Sequence, residues 1–265
     1  MVNNNTIHPS SLVESGAVIG SDTIIGPFCH IGAEVKLAEG VKVLSHVSIA
    51  GKTSVGSHTR IFPFASIGQE PQDLKFSGED VFLEIGSECT IREGVTMNPG
   101  TLGGGGVTRI GNKCTFLANS HVAHDCIIGN NVIFSNNVML AGHCVVGDFV
   151  IFGGGAAAHQ FCRVGHHAFI GGLSGIEGDV IPFGMAIGPR ASLAGVNIVG
   201  MKRATVSRES INAMRKAYIE VFSRHRPIRE NAQALKSEAT NTLVIDILDF
   251  VLESADRPLC IPYPD

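Results

Sequence analysis

Tryptophan is absent from this 265-residue chain, and tyrosine occurs only twice. The interior must therefore be filled mainly by small and branched aliphatic side chains. An excess of positive charge is also missing: 20 Lys and Arg stand against 24 Asp and Glu, a net charge of −4. Nucleic acid as a partner would need a basic field against its phosphates, so that class is set aside. No run is long and apolar enough to be an integral membrane segment. The opening MVNNNTIHPS lacks the charged-then-apolar profile of a secretion signal, so a cytoplasmic location is expected. Seven cysteines, an odd number with no paired spacing, do not read as a disulfide framework in that compartment. The glycines 103–106 are not followed by Gly-Lys-Ser/Thr, which removes a phosphate loop. That stretch reads as a flexible excursion.

Glycine is abundant, at 32 residues, and the sequence around it is periodic. Steps of six from Ile7 meet Val13, Ile19, Ile25, Ile31 and onward to Ile67, every one Ile, Leu or Val. The phase returns at Ile85, Ile91 and Met97, and again from Ile110 through Phe116, Val122 and Ile128 to Ile176. One slip later it continues through Ile181, Ile187, Leu193 and Val199. The residue four places after each aliphatic is also restricted, mostly to Ser, Thr, Ala, Val or Cys. A period of six fits neither a helix nor a continuous strand. It fits a short strand plus a turn, with three units closing a triangular coil of eighteen residues. The aliphatic fills the prism, the fourth position takes a tighter inward slot, and glycine lets the backbone turn. Coils stacked at about 4.8 Å give a prism of roughly 45–50 Å for about ten coils. The pattern resembles the hexapeptide-repeat acyltransferases, which implies an all-β, left-handed parallel β-helix. That handedness departs from the usual right-handed crossover.

Cys29, Cys89, Cys114, Cys126, Cys144 and Cys162 all fall at the fourth position and read as small buried residues; Cys260 stands outside the pattern. The division expected is a β-helix over 1–195, with protruding loops near 69–83 and 99–109, and a helical C-terminal domain over 196–265. In the latter, Ser207 is a candidate N-cap, followed by Ile211, Met214, Tyr218, Val221 and Phe222 at helical spacing. Pro227 opens a second helix. Asn241 to Ser254 reads as a third, with Val244, Ile247, Leu248 and Val251 on one face. Residues 202–229 are locally basic, which suits either a solvated face or an acidic partner.

Stacking by eighteen turns the sequence into a map. Asp125 lies below His143; His124, Gly142 and Gln160 share a column; His159 stands two coils above Ala123; and His121 is on the same coil as His124. These side chains are expected to project outward along one strip. A neutral imidazole there is suited to general-base work. Ser120 sits at the inward fourth position, so no serine nucleophile is evident and direct transfer is favoured. The γ-type carbonic anhydrases share this prism and bind zinc through three histidines. Here His121 and His124 are three apart and their spacing is not found, so no metal is expected. Asp125 suits a base held in one tautomer as well as a ligand shell.

The segments ASIGQEPQDLKF, AHDCIIGNN, AGHCVVGD, HQFCRVG and GVNIVGMKR together resemble the UDP-N-acetylglucosamine O-acyltransferase family over nearly the whole chain. The resemblance implies transfer of a 3-hydroxyacyl chain from acyl carrier protein to a UDP-amino sugar, opening lipid A biosynthesis. It implies no cofactor beyond the phosphopantetheine of the carrier. It makes His124 the general base, Asp125 its orienting acid and the Gly142 N–H the oxyanion donor. Asp73 and Lys75 would reach sugar and acyl chain; His121, His143, His159 and Gln160 would contact substrate. Asn197 and Arg203 would lie near the nucleotide, and Gly172 would set acyl length. A homotrimer with sites between subunits is implied, its basic helices facing acyl carrier protein. Two places depart from the family's pattern. Asn98-Pro99 replaces His-Arg or Asn-Arg, and Val199 replaces a Glu, so the acceptor is read as a 3-hydroxy or a 3-amino sugar nucleotide. An acetyl-CoA-dependent transferase and a non-catalytic solenoid are the competing readings.

Overall fold

The computed structural model describes residues 4–263. Two-residue strands recur every six positions, and each presents one residue outward and one inward, as in Lys36–Leu37 and Lys42–Val43. The strands sort into three sheets with coil-to-coil parallel pairing: Ile61 lies between Val43 and Ile91, and His121 between Thr96 and Met139. Face one starts with Thr6–Ile7, face two with Leu12–Val13 and face three with Val18–Ile19. The result is the parallel β-helix that the hexads predict, left-handed as the resemblance implies. Its interior is a continuous apolar column. The fully buried rings of Phe116, Phe134 and Phe152 stack edge-to-face at 5.2 and 4.8 Å.

The turns differ from expectation. Glycine is not what turns the chain at most corners. The left-handed residue stands three places after the aliphatic, and it is Asp22, Phe28, His46, Asn119, Asp125, Asn131 or His143, with φ near +57°. The glycine directly after the aliphatic has another duty. A Cβ on Gly111 would fall 2.5 Å from the Gly129 carbonyl oxygen, so this position is kept bare for coil-to-coil approach. The fourth-position thiols and hydroxyls also do more than fill space. Cys29, Cys114, Cys126 and Cys144 donate to the carbonyls of Leu44, Gly129, Ala141 and His159 on the next coil, at 2.7, 3.2, 3.2 and 3.1 Å. Cys260, outside the repeat, is buried as well and donates to Ala191.

The last hexads are not as expected. Ile181 and Leu193 are buried, but Ile187 is 47% exposed and Val199 60% exposed. Strand Gly184–Ile187 turns back and pairs antiparallel with Ser192–Val196, so the alternation of a hairpin replaces the period of six. A short helix that the sequence reading lacks, α1 (Ile198–Arg203), follows, capped by the Asn197 side chain. Then come α2 (Arg208–Val221), capped by Ser207; α3 (Ile228–Lys236), opened by Pro227; and α4 (Thr242–Leu252), capped by Asn241. Their buried faces include Ile211, Met214, Val221, Val244, Ile247, Leu248 and Val251. Arg163 ties α4 to the prism: it pairs with buried Asp179 at 2.7 Å and with Glu253 at 2.6 Å, and stacks on Phe250. Among the described residues no helix is long and apolar enough to cross a membrane.

Candidate active site

Both large excursions leave the prism at the same corner, between faces two and three. Ile67 pairs with Met97 rather than with a residue eighteen further on, and residues 68–81 form the first loop. Met97 in turn pairs with Val122, and residues 98–106 form the second. On the coils above, the same corner is built from residues 123–126, 141–144 and 159–162. The topology thus gathers Asp73, Lys75, His124, Asp125, Gly142, His143, His159 and Gln160 on one edge, with His121 on the adjoining strand of face two.

His124 and Asp125 are the centre of this edge. The His124 Nδ1 lies 2.8 Å from Asp125 Oδ2. The other side of the ring faces Gly142: a Cβ there would come 2.6 Å from Cε1 and 2.7 Å from Nε2. Among the described residues the Gly142 N–H donates to no acceptor. His143 crosses His124 edge-on at 4.9 Å and is itself stacked on Phe161 at 4.4 Å. Although these residues lie outside the prism, His124 is only 5% exposed and the Asp125 side chain has no exposure at all. The reason is the glycine stretch. It is not a flexible excursion but a closed strap over the carboxylate. Leu102–Gly104 forms a 3₁₀ turn, and the Thr101 carbonyl accepts the Gly104 and Gly106 N–H groups at 3.0 and 2.8 Å. Gly104 is in contact with Asp125, where a Cβ would lie 2.1 Å from Cγ.

The carboxylate is fully engaged. Oδ1 accepts the Thr101 N–H at 2.8 Å, and Oδ2 accepts the Thr101 hydroxyl at 2.6 Å. The Asp125 N–H donates to Thr108 Oγ1 at 2.8 Å, which fixes its left-handed backbone. Burial lowers the pKa of His143, opposed by the charges of Asp125 and Asp73. Burial also lowers His121, and His124 adds to that; the His121 Nδ1 lies 2.7 Å from Thr96 Oγ1. His124, Asp125 and His143 place one donor atom each within 4.8 Å, a span that fits a cation. However, Oδ2 already accepts the Thr101 hydroxyl and faces the His124 ring. The donor set therefore suits an acid–base pair better than a ligand shell.

The first loop is pinned at both ends. Buried Asn98 donates from Nδ2 to the Gln69 and Glu70 carbonyls, each at 3.0 Å, and Lys52 pairs with Asp80. Asp73 accepts the Lys75 N–H at 3.0 Å, leaving the Lys75 side chain exposed. Above the site Arg257, from the chain's last residues, donates to the Gln160 carbonyl at 2.8 Å and to His159 Nδ1.

Three expected site residues lie elsewhere on the same chain. Gly172 is on the corner between faces one and two. Asn197 and Arg203 line a groove of about 760 Å³ with Asn131, Phe149, His167 and Val199, on the corner between faces three and one. The Asn197 side chain is also engaged there, accepting from the Gly200 N–H at 2.8 Å and donating to the His167 carbonyl at 3.0 Å. Thr101, Thr108, Phe161 and Arg257 escaped the sequence reading, and Asn98 was noted there only as a departure from the family's pattern. Of these only Phe161 had a signal, eighteen places after His143.

Residues 179–260 match the family described as Udp N-acetylglucosamine O-acyltransferase, domain 2, and residues 108–142 match the bacterial transferase hexapeptide repeats. The acyl-[acyl-carrier-protein]–UDP-N-acetylglucosamine O-acyltransferase of Mesorhizobium japonicum is 55% identical over 258 residues, 97% of this chain and 92% of that protein. The chain belongs to this acyltransferase family. The correspondingly named protein of Rhizobium johnstonii is 52% identical over 257 residues, 97% of this chain and 94% of its own. Among solved structures, a UDP-N-acetylglucosamine acyltransferase superposes with a TM-score of 0.94 at 40% identity, over 98% of this chain and all of that one. The acyltransferase of Campylobacter jejuni gives 0.92 at 36% identity, over 97% of this chain and all of its own.

Proposed function

We propose that this chain transfers a 3-hydroxyacyl group from acyl carrier protein to the 3-position of UDP-N-acetylglucosamine, or of its 3-amino analogue, as the first step of lipid A biosynthesis. The observation that carries the mechanism is the buried His124–Asp125 pair beside a free Gly142 N–H. With Nδ1–H donated to Asp125, His124 Nε2 presents its lone pair. It takes the proton from the sugar O–H or N–H as that atom attacks the thioester carbonyl. The Gly142 N–H receives the developing oxyanion, a donation worth roughly 3 kcal/mol in comparable sites. Collapse breaks the C–S bond, and the imidazolium returns the proton to the departing thiolate. The attack is direct, with no acyl-enzyme and no metal.

Asp73 and Lys75 of the first loop would meet sugar and acyl chain, and His121, His143, His159 and Gln160 the sugar and diphosphate. Gly172, Asn197 and Arg203 occupy other corners of the prism. Acyl length and nucleotide are thus read by a second copy of the chain, which supports a trimer with its sites between subunits. The basic stretch from Lys202 to Arg229 would receive the acidic carrier protein in the cytoplasm. The test is His124→Ala, assayed with both acceptors and a series of acyl lengths. It should keep its melting profile and lose about 10²–10⁴ in rate. Near-normal transfer by this variant refutes the reading.

A further inference from the structure

We infer that Thr101 is the positioning residue of the acid–base pair, and that the glycine strap exists to hold it over Asp125. The inference rests on the reading of His124 as base.

A carboxylate orients an imidazole only if its own rotation is stopped. The Asp125 side chain has no solvent contact, so water cannot do this, and a buried carboxylate needs donors on both oxygens. Thr101 supplies one to each. Its N–H reaches Oδ1 at 2.8 Å and its hydroxyl reaches Oδ2 at 2.6 Å. These two bonds fix the plane of the carboxylate, and in that plane Oδ2 lies 2.8 Å from His124 Nδ1. The strap shows the same purpose. Its turn closes on the Thr101 carbonyl, which accepts two N–H groups, so all three polar groups of Thr101 are used. Gly104 must be bare for the turn to lie against the carboxylate. Gly100 must be bare too, because a Cβ would fall 2.1 Å from the Val107 nitrogen. A strap that merely bridged faces two and three would need neither contact.

Thr101 also sets how much negative charge faces the imidazole. Its hydroxyl withdraws charge from Oδ2, the oxygen that His124 uses. Removing that donor leaves more charge on Oδ2, which favours the imidazolium. Among the described residues the other ionisable groups near the pair are His143, whose Nδ1 is 3.8 Å from Oδ2, His121 on the same coil, and Asp73 of the first loop, whose charge acts on His143.

The test compares Thr101→Val, Thr101→Ser and His124→Ala in the full chain, with kcat and KM followed across pH and melting followed alongside. Val should lower kcat about 10–100-fold with little change in KM. It should also move the acid limb of the kcat/KM profile to higher pH, and Ser should restore both rate and profile. If Val does not fold, Thr101→Ala asks the same question with a smaller side chain. Three results overturn the inference: a Val variant that is as fast as the parent, one that is slow with an unmoved pH profile, or a Ser variant that rescues nothing. An active His124→Ala variant would instead remove the base reading on which the inference stands, and the two failures are told apart by that arm.

Discussion

Replacing Gly142 by alanine perturbs the imidazole of His124, the base of the proposed mechanism, without substituting it. The backbone at Gly142 is not in the left-handed region, so alanine adds no conformational strain. The added methyl would sit 2.6 Å from Cε1, 2.7 Å from Nε2 and 3.1 Å from Nδ1 of His124. Carbon–carbon contacts settle at about 3.5–4.0 Å, so the ring must retreat by about 1 Å. It cannot retreat toward Asp125, because Nδ1 is already 2.8 Å from Oδ2 and the carboxylate is pinned beneath the strap. Sideways, His143 is 4.9 Å away and held by Phe161. The imidazole therefore leaves its acid or its line of attack. A displacement of about 1 Å costs on the order of 10²-fold in rate. Thiol release from the acyl carrier thioester, read together with acylated sugar, gives kcat and KM separately; the loss should fall on kcat. No core side chain changes, so the melting temperature should move by only a few degrees. A Gly142→Ala enzyme within about threefold of the parent in kcat would refute the packing argument.

Two further outcomes are expected. Arg257→Ala frees His159 Nδ1 and should raise KM for the sugar nucleotide about tenfold with kcat little changed; an unchanged KM in a sugar titration counts against a link from tail to site. Burial lowers the pKa of His121, His143 and His167 in the folded chain, whereas a free imidazole titrates near 6.5. As pH falls the unfolded chain takes up protons first. The contribution is full above about pH 6.5 and is lost as pH drops below it toward the folded values. The urea midpoint should accordingly be lower at about pH 5.5 than at about pH 7.5, and equal midpoints would contradict the assignment.

The periodic part of this molecule was legible because each rung repeats one local rule. An aliphatic at 61 must point inward for the same reason as one at 43, and eighteen-residue stacking then brings His124, Gly142 and Gln160 together without further information. Legibility ended where contacts cross an insertion or a change of topology. Thr101 reaches Asp125 across 24 positions and through an excursion whose length hides the register. Arg257 meets His159 across 98. Ile187 and Val199 keep the phase of six in sequence but not the inward slot, because Ala186 and not Ile187 lies over Ile170 where the chain enters a hairpin, and Val199 falls in the helix that follows. Helix α1 is six residues long, too short for periodicity to announce, and only its Asn197 cap marks it.

Both excursions depart and return between consecutive rungs, and the stack above them resumes in step: Ile67, Met97 and Val122 still lie one over another. The load-carrying column is thus blind to how long an inserted segment is or what it carries. Either ribbon can be edited while the buried stack, and with it the resistance to unfolding, stays as it was.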